Sequence, residues 1–256
     1  MSGKRPEVKN GAAMLKNVIN ITEAMMHAVE RSRQLPGLVC FHGESGFGKS
    51  SAAVFLAGEL RAYHVEVDST CTKKELLLDV AEEMGLVPGR TIRDLKRQIG
   101  EHLSLSGRPL IIDDAHHLAK RGILELVLDL HKKAGERSTV LLIGEPALPF
   151  EMKRRWERID NRILRWVEAK PLDWDDAVIL RDHYAAGVAV ADDLLADIHS
   201  RHKGCARRVV VELEEARAWA ISRGRKEMDL AQWKSRGLTH AAAAPTPDAP
   251  KMRVVK

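Results

Sequence analysis

Apolar residues along the chain follow two patterns that alternate. Short β-branched or apolar runs at Leu38–His42, His64–Val67, Pro109–Ile112, Thr139–Ile143 and Ile163–Val167 predict buried parallel strands. Longer stretches with helical spacing lie between them, near Lys49–Ala62, Thr72–Met84, Ile92–Leu105, Gly122–Ala134 and Pro146–Trp156; Leu15–Arg33 predicts one more helix ahead of the first strand. Alternation of this kind predicts an α/β fold of three layers, with helices on both faces of a parallel sheet. After Pro171 the pattern becomes helical alone, over Trp174–Ala186, Asp192–His202 and Ala206–Ser222, with no strand-like run. His240–Pro250 is rich in Ala and Pro and cannot bury a core. The expected organisation is an N-terminal helical linker segment (1–37), an α/β core (38–170), a helical subdomain (171–222) and a basic, partly flexible tail (223–256), without internal repeats.

Composition narrows the class. A chain of 256 residues, 45% hydrophobic and 30% charged, can bury a core without covalent staples. Cys40, Cys71 and Cys205 lie far apart and form no CxxC pair, which argues against a disulfide framework or a zinc site and for a reducing, cytoplasmic setting. No apolar run approaches the roughly 18 residues of a membrane span, and the polar start lacks a signal-peptide apolar region, so the expectation is a soluble protein with no membrane partner. The net charge of +5 is concentrated at the ends, with six Lys/Arg against three Glu in 1–37 and eight against three acids in 223–256.

One segment carries a specific chemistry. Gly43-Glu44-Ser45-Gly46-Phe47-Gly48-Lys49-Ser50 matches GxxxxGK[ST] between a predicted strand and a predicted helix, with Ser51 continuing it. Glycines let successive N–H groups turn inward onto a phosphate, and the following helix adds the positive end of its dipole. Lys49 would reach the β- and γ-phosphates, and Ser50 would ligate Mg²⁺. About sixty residues later the apolar strand Leu110-Ile111-Ile112 ends in Asp113 and Asp114. That spacing assigns Asp113 to Mg²⁺ and Asp114 to activation of the attacking water. His116 and His117 follow; adjacent residues on a helix point apart, which argues against a shared metal.

These residues resemble the AAA+ ATPases, and within them the transposition target-selection group of MuB, TnsC and TniB, over roughly residues 15–222. The resemblance rests on an ordered set: GESGFGKSS, then LIIDDAHHL as a Walker B strand, then VLLIGEPAL as a sensor 1 strand. WERIDNRI follows as an arginine-finger region, and Gly204-Cys205-Ala206-Arg207 as the sensor 2 signature of a small helical lid. It implies a three-layer P-loop NTPase of AAA+ type, a parallel sheet with a C-terminal helical lid, that uses ATP and Mg²⁺. Carried over, Arg162 matches the finger that reaches a neighbouring subunit's γ-phosphate, with Arg158 as the alternative, and Arg207 matches the lid arginine of sensor 2. The base is expected against Val18–Thr22. Two positions depart from the family pattern. Asp114 stands where Glu is usual, one methylene shorter, which implies slow hydrolysis. Glu145 stands at sensor 1, a negative charge near a phosphate unless a cation offsets it.

DNA binding needs cations on one surface. Lys73 and Lys74 open one helix; Arg93, Lys96 and Arg97 share a face of the next, where like charges repel until a polyanion relieves them. The resemblance, in which elements after the second and third segments line a pore around duplex DNA, favours Lys73, Lys74, Arg93 and Arg97, with Lys120 and Arg121 as a third place. No aromatic is interleaved with these cations, so duplex backbone contact without sequence readout is expected. The function implied is an ATP-dependent duplex-DNA-binding ATPase that forms oligomers or filaments and serves a transposase as target-selection adaptor. The alternatives are a replication initiator or helicase loader, a secretion-associated ATPase of the ExeA type, and a P-loop small-molecule kinase.

Overall fold

The five apolar runs assemble into one parallel sheet in a computed structural model that describes Val8, Lys9 and residues 12–32, 34–135 and 137–236. Ahead of it, β1 (Val8–Lys9) and β2 (Ala12–Ala13) pair antiparallel and lead into α1 (Lys16–Glu30). The sheet strands are β3 (Leu38–His42), β4 (Tyr63–Glu66), β5 (Leu110–Asp113), β6 (Val140–Gly144) and β7 (Ile163–Glu168), in the order β4-β5-β6-β3-β7. Between them run α2 (Lys49–Glu59), α3 (Lys73–Glu83), α4 (Ile92–Ser106), α5 (His116–Lys120), α6 (Leu124–Ala134), α7 (Ala147–Arg155) and α8 (Glu157–Asp160). The fold is the α/β three-layer P-loop arrangement expected of an AAA+ core.

Strand alternation explains the layers. Val39, Phe41, Ile111, Leu141 and Ile143 point into one buried cluster, shared with α1 and α2. Leu38, Cys40, Leu110, Ile112, Val140 and Leu142 point into the other, packed by α3, α4 and α6. A central strand buried on both faces must be apolar along its length, and Leu38–Phe41, Leu110–Ile112 and Val140–Ile143 are, with polar residues only at the ends that face the site. Element ends differ from expectation for local reasons. Pro109 has no N–H to give the ladder, so β5 starts at Leu110, while Tyr63 N donates to Pro109 O at 2.9 Å and extends β4 backwards. Arg61, with φ of 49°, ends α2 before Ala62.

Beyond Pro171, α9 (Trp174–Tyr184), α10 (Asp192–Arg201) and α11 (Ala206–Ser222) bury their apolar faces in the same cluster as α1 and α2. The expectation of helix alone is corrected here. β8 (Ala189–Val190) and β9 (Glu227–Met228) pair in parallel, and at two residues each they are too short to show as a run. Residues 227–234, within the expected tail, form β9 and α12 (Leu230–Lys234), whose Trp233 is fully buried. A buried carboxylate joins these helices: Glu212 Oε1 accepts from Arg201 Nη1 at 2.6 Å and Trp233 Nε1 at 2.9 Å, and Oε2 lies 2.6 Å from His202 Nε2. Burial by itself would raise the pKa of Glu212; the bonds from Arg201, Trp233 and His202 outweigh it and hold the carboxyl below its usual range. The remainder of the basic tail, 237–256, and the N-terminal stretch 1–7 lie outside the described residues.

At the amino ends of the strands, Arg31 donates to Ala28 O at 2.5 Å, Thr139 Oγ1 at 2.8 Å and Ser138 O at 2.6 Å, and His131 is buried beside it with Nδ1 unpartnered. Burial, and the cations Arg31, Arg162 and Lys132, push this imidazole down to about 4. The unfolded chain therefore binds a proton that the native state refuses. The resulting stability is present above the ordinary histidine pKa of about 6.5 and is lost as pH falls toward 4, by on the order of 3 kcal/mol at the limit. Urea unfolding across this window should show that loss in the wild type and lack this component in His131→Leu.

Candidate nucleotide site

The loop after β3 is shaped by close approach. Gly43 N donates to Gly144 O at 3.2 Å, and a Cβ on Gly43 would stand 2.7 Å from Ala169 O, so no side chain fits. Gly46 has φ of +85°, and a Cβ there would meet Cys205 Sγ at 2.6 Å. Glu44 and Ser45 are exposed, Phe47 and Gly48 half-buried, and Gly48 precedes the first residue of α2. Lys49 is buried and donates from Nζ to Gly43 O at 2.7 Å and Glu44 O at 2.8 Å; Ser50 and Ser51 are exposed on the first turn. Burial lowers the Lys49 pKa, and the carboxylates of Asp113, Asp114, Glu145 and Glu44 oppose it.

Three other elements reach this loop. From α1, Asn17 donates through Nδ2 to Phe47 O at 3.0 Å and Lys170 O at 2.7 Å, and accepts at Oδ1 from Lys170 N at 3.0 Å. Of the segment Val18–Thr22 expected near the base, Val18 and Ile21 are buried in the shared core. From α11, Arg207 N donates to Gly46 O at 3.0 Å while the Arg207 side chain is exposed. From the sheet, Asp113 ends β5 fully buried, its Oδ1 accepting from Asp114 N at 2.8 Å. Asp114 has φ of 54°. Glu145 follows β6, with Lys120 Nζ 3.5 Å from its Oε2 and His116 Nε2 3.6 Å from its Oε1. Because β5 and β6 run parallel to β3, both acids and Glu145 stand at the same end of the sheet as the loop.

Arg162 stands at the opposite end. It is exposed just before β7, whose first residue pairs with Leu38 at the start of β3, and Leu38 N donates to Arg162 O at 3.2 Å. The five residues of β3 separate it from the loop that they carry, a rise of about 16 Å. Arg158, in α8, lies 3.9 Å from Glu125. His116 and His117 do not diverge as expected: their ring centroids are 4.1 Å apart.

The cations expected on a DNA surface are only partly unneutralised. Lys73 and Lys74 are exposed on the first turn of α3, which the Thr72–Glu75 capping box fixes. Arg93 is exposed, but Arg97 Nη1 lies 3.4 Å from Glu101 and Lys96 Nζ 2.7 Å from Asp129 Oδ2. Lys120 faces Glu145, and Arg121 Nη1 donates to Ser69 O at 3.1 Å.

Asn17 and His116 are the site residues that motif reasoning passes over. The one signal for Asn17 is a polar residue on the apolar face of α1, and its partners are 30 and 153 positions away. Asn17→Ala leaves two carbonyls and an N–H of the loop region without these bonds; we expect about 1–3 kcal/mol lost in urea unfolding and a weakened loop measurable as lower affinity for a nucleotide.

Comparison with known proteins places the fold. Residues 32–150 match the family model described as an AAA domain. No curated protein sequence matches the chain significantly. Among solved structures it is similar to the Aeropyrum pernix ORC2 protein in its ADPNP–ADP complexes, with a TM-score of 0.65 at 15% identity, covering 90% of this chain and 68% of that one. It is also similar to the Aeropyrum pernix ORC1 protein in complex with DNA (TM-score 0.60, 19% identity, 86% and 64% covered). Cdc6p from Pyrobaculum aerophilum gives a TM-score of 0.60 at 17% identity, with 83% and 63% covered, so the chain spans somewhat less than two thirds of the latter two. At such identities the likeness establishes the fold. Residues 32–150 match the AAA domain model, and the chain that contains them has the P-loop AAA+ fold.

Proposed function

We propose that the chain is an ATP-dependent AAA+ ATPase that works on duplex DNA as a head-to-tail assembly of its own copies and, in the finer reading, serves a transposase as target-selection adaptor. The observation that carries the assembly is the separation of Arg162 from its own loop by the length of β3. An arginine so placed can complete a nucleotide site only on another copy, and a head-to-tail interface repeats without closing on a two-fold.

The residues fit ATP with Mg²⁺. The glycine-rich loop would offer its N–H groups to the phosphates, and Lys49, now bonded to two loop carbonyls, would be the cation for the β- and γ-phosphates. Ser50 and the buried Asp113 would hold the ion, which neutralises phosphate charge when bound. Asp114 would orient the attacking water, and Arg207 and Arg162 would stabilise the developing charge from the lid and from the neighbour. Glu145 keeps its place near the phosphates because Lys120 faces it and His116 lies beside it. Lys73, Lys74, Arg93 and Arg97, with Lys120 and Arg121, are the proposed DNA surface.

A second reading, a replication initiator or helicase loader, is supported by the likeness to the ORC1 protein solved in complex with DNA. A small-molecule kinase leaves Arg162 and the Arg207 contact without a task.

Lys49→Ala should abolish ATP binding, because it removes the point charge on the phosphates, whereas Asp114→Asn should bind ATP and lose turnover. An ATP titration and a phosphate-release assay separate the two phenotypes, and wild-type affinity in Lys49→Ala refutes the site. Arg162→Ala should bind ATP as a monomer yet fail to assemble on DNA in sedimentation with a non-hydrolysable analogue. DNA affinity should fall steeply with salt, with a slope reduced by about one unit in Lys73→Ala or Arg93→Ala. Transposase stimulation, tested against loading of a replicative helicase, distinguishes the finer readings.

A further inference from the structure

His116 is a buried side chain that lies between the two site acids of unusual type. Its Nδ1 stands 3.7 Å from Asp114 Oδ1, its Nε2 stands 3.6 Å from Glu145 Oε1, and the ring is 6% exposed. Nδ1 is buried and has no hydrogen-bond partner. A buried polar atom without a partner is costly, whether the nitrogen carries the proton or a lone pair, and one placed between two site acids calls for a partner in another state of the site. The distance to Asp114 is half an ångström or so beyond hydrogen-bond range, within the adjustment that apo sites make on loading.

The chemistry decides which acid the ring serves. A neutral imidazole carries one N–H, so it donates to Asp114 or to Glu145 and not to both. Burial favours that neutral form. Glu145 already faces Lys120 at 3.5 Å, while no other side chain of the described residues lies within ion-pair distance of Asp114. Asp114 also needs the help more. It is the shorter acid, so its carboxylate has less reach, and its side chain is 39% exposed and free to turn.

We infer that His116 is a positioning residue for hydrolysis, donating from Nδ1 to Asp114 in the loaded site and so aiming the short carboxylate at the attacking water. The inference rests on the proposed ATPase reading and adds a residue to it. The ring does not touch substrate; it acts through Asp114, and Lys120 holds Glu145 apart from this bond.

The test uses the geometry of two amides. The side-chain nitrogen of Asn falls close to the Nδ1 position of histidine, and that of Gln close to Nε2. His116→Ala and His116→Gln should lower kcat about tenfold or more with KM and ATP-analogue affinity unchanged, and His116→Asn should recover most of the loss. Melting temperatures and analogue affinity of the Asn and Gln variants check that both fold alike. Independently of turnover, ¹⁵N NMR of the imidazole with a non-hydrolysable ATP analogue and Mg²⁺ should show the Nδ1–H tautomer. Wild-type kcat in His116→Ala, equal losses in Asn and Gln, or an Nε2–H tautomer overturns the inference and leaves the ATPase reading standing. A wild-type protein that neither binds nor hydrolyses ATP overturns both.

Discussion

A glycine-rich backbone cannot hold a shape by itself, and the loop at residues 43–48 is held from outside. Asn17 grips the carbonyl of Phe47, Gly144 O takes the N–H of Gly43, Ala169 closes over Gly43, and Arg207 N takes the carbonyl of Gly46. These contacts come from α1, β6, the end of β7 and α11, so the loop has its conformation only when the sheet register, the first helix and α11 are all in place. A helix N-terminus and a nest of amides are inexpensive to encode, but their orientation is a property of the whole domain.

The sheet then sorts charge by end. Lys49, Asp113, Asp114 and Glu145 gather where the strands finish, and Arg31 and Arg162, with the neutral His131 beside them, gather where they begin. Parallel strands make such polarity available, because every connection returns to the same starting edge. Under the proposed reading, one copy offers an acidic, phosphate-binding end and the next offers a cationic one, and complementarity between unlike ends favours stacking over dimerisation.

The strand runs, the phosphate loop and the acids after β5 are visible in the sequence because each is a local pattern with a local cause. The period-two sorting of Leu38 to Phe41 into two cores follows from the pleat alone. What could not be read depends on distant partners or on very short elements. The β8–β9 pair offers two residues per strand, and α5 and α12 five each, less than the window in which periodicity exists. Lys96 looks like one of three repelling cations until Asp129, on α6, comes alongside it. Trp233 looks like part of a tail until Glu212 and the core receive it.

The backbone at Asp114 places a limit on the variation open to this site. Its φ of 54° lies in the left-handed region, which Asp and Asn enter several-fold more readily than longer side chains because their short polar groups bond locally. A longer acid there would extend the carboxylate and at the same time strain the main chain that sets its direction. The residue after the buried Asp113 is therefore governed by two demands that pull apart, reach and backbone conformation, and the turn that seats Asp114 favours the second. Lengthening that acid productively would require the path from β5 into α5 to change with it, two positions from His116, so side chain and turn can only vary together.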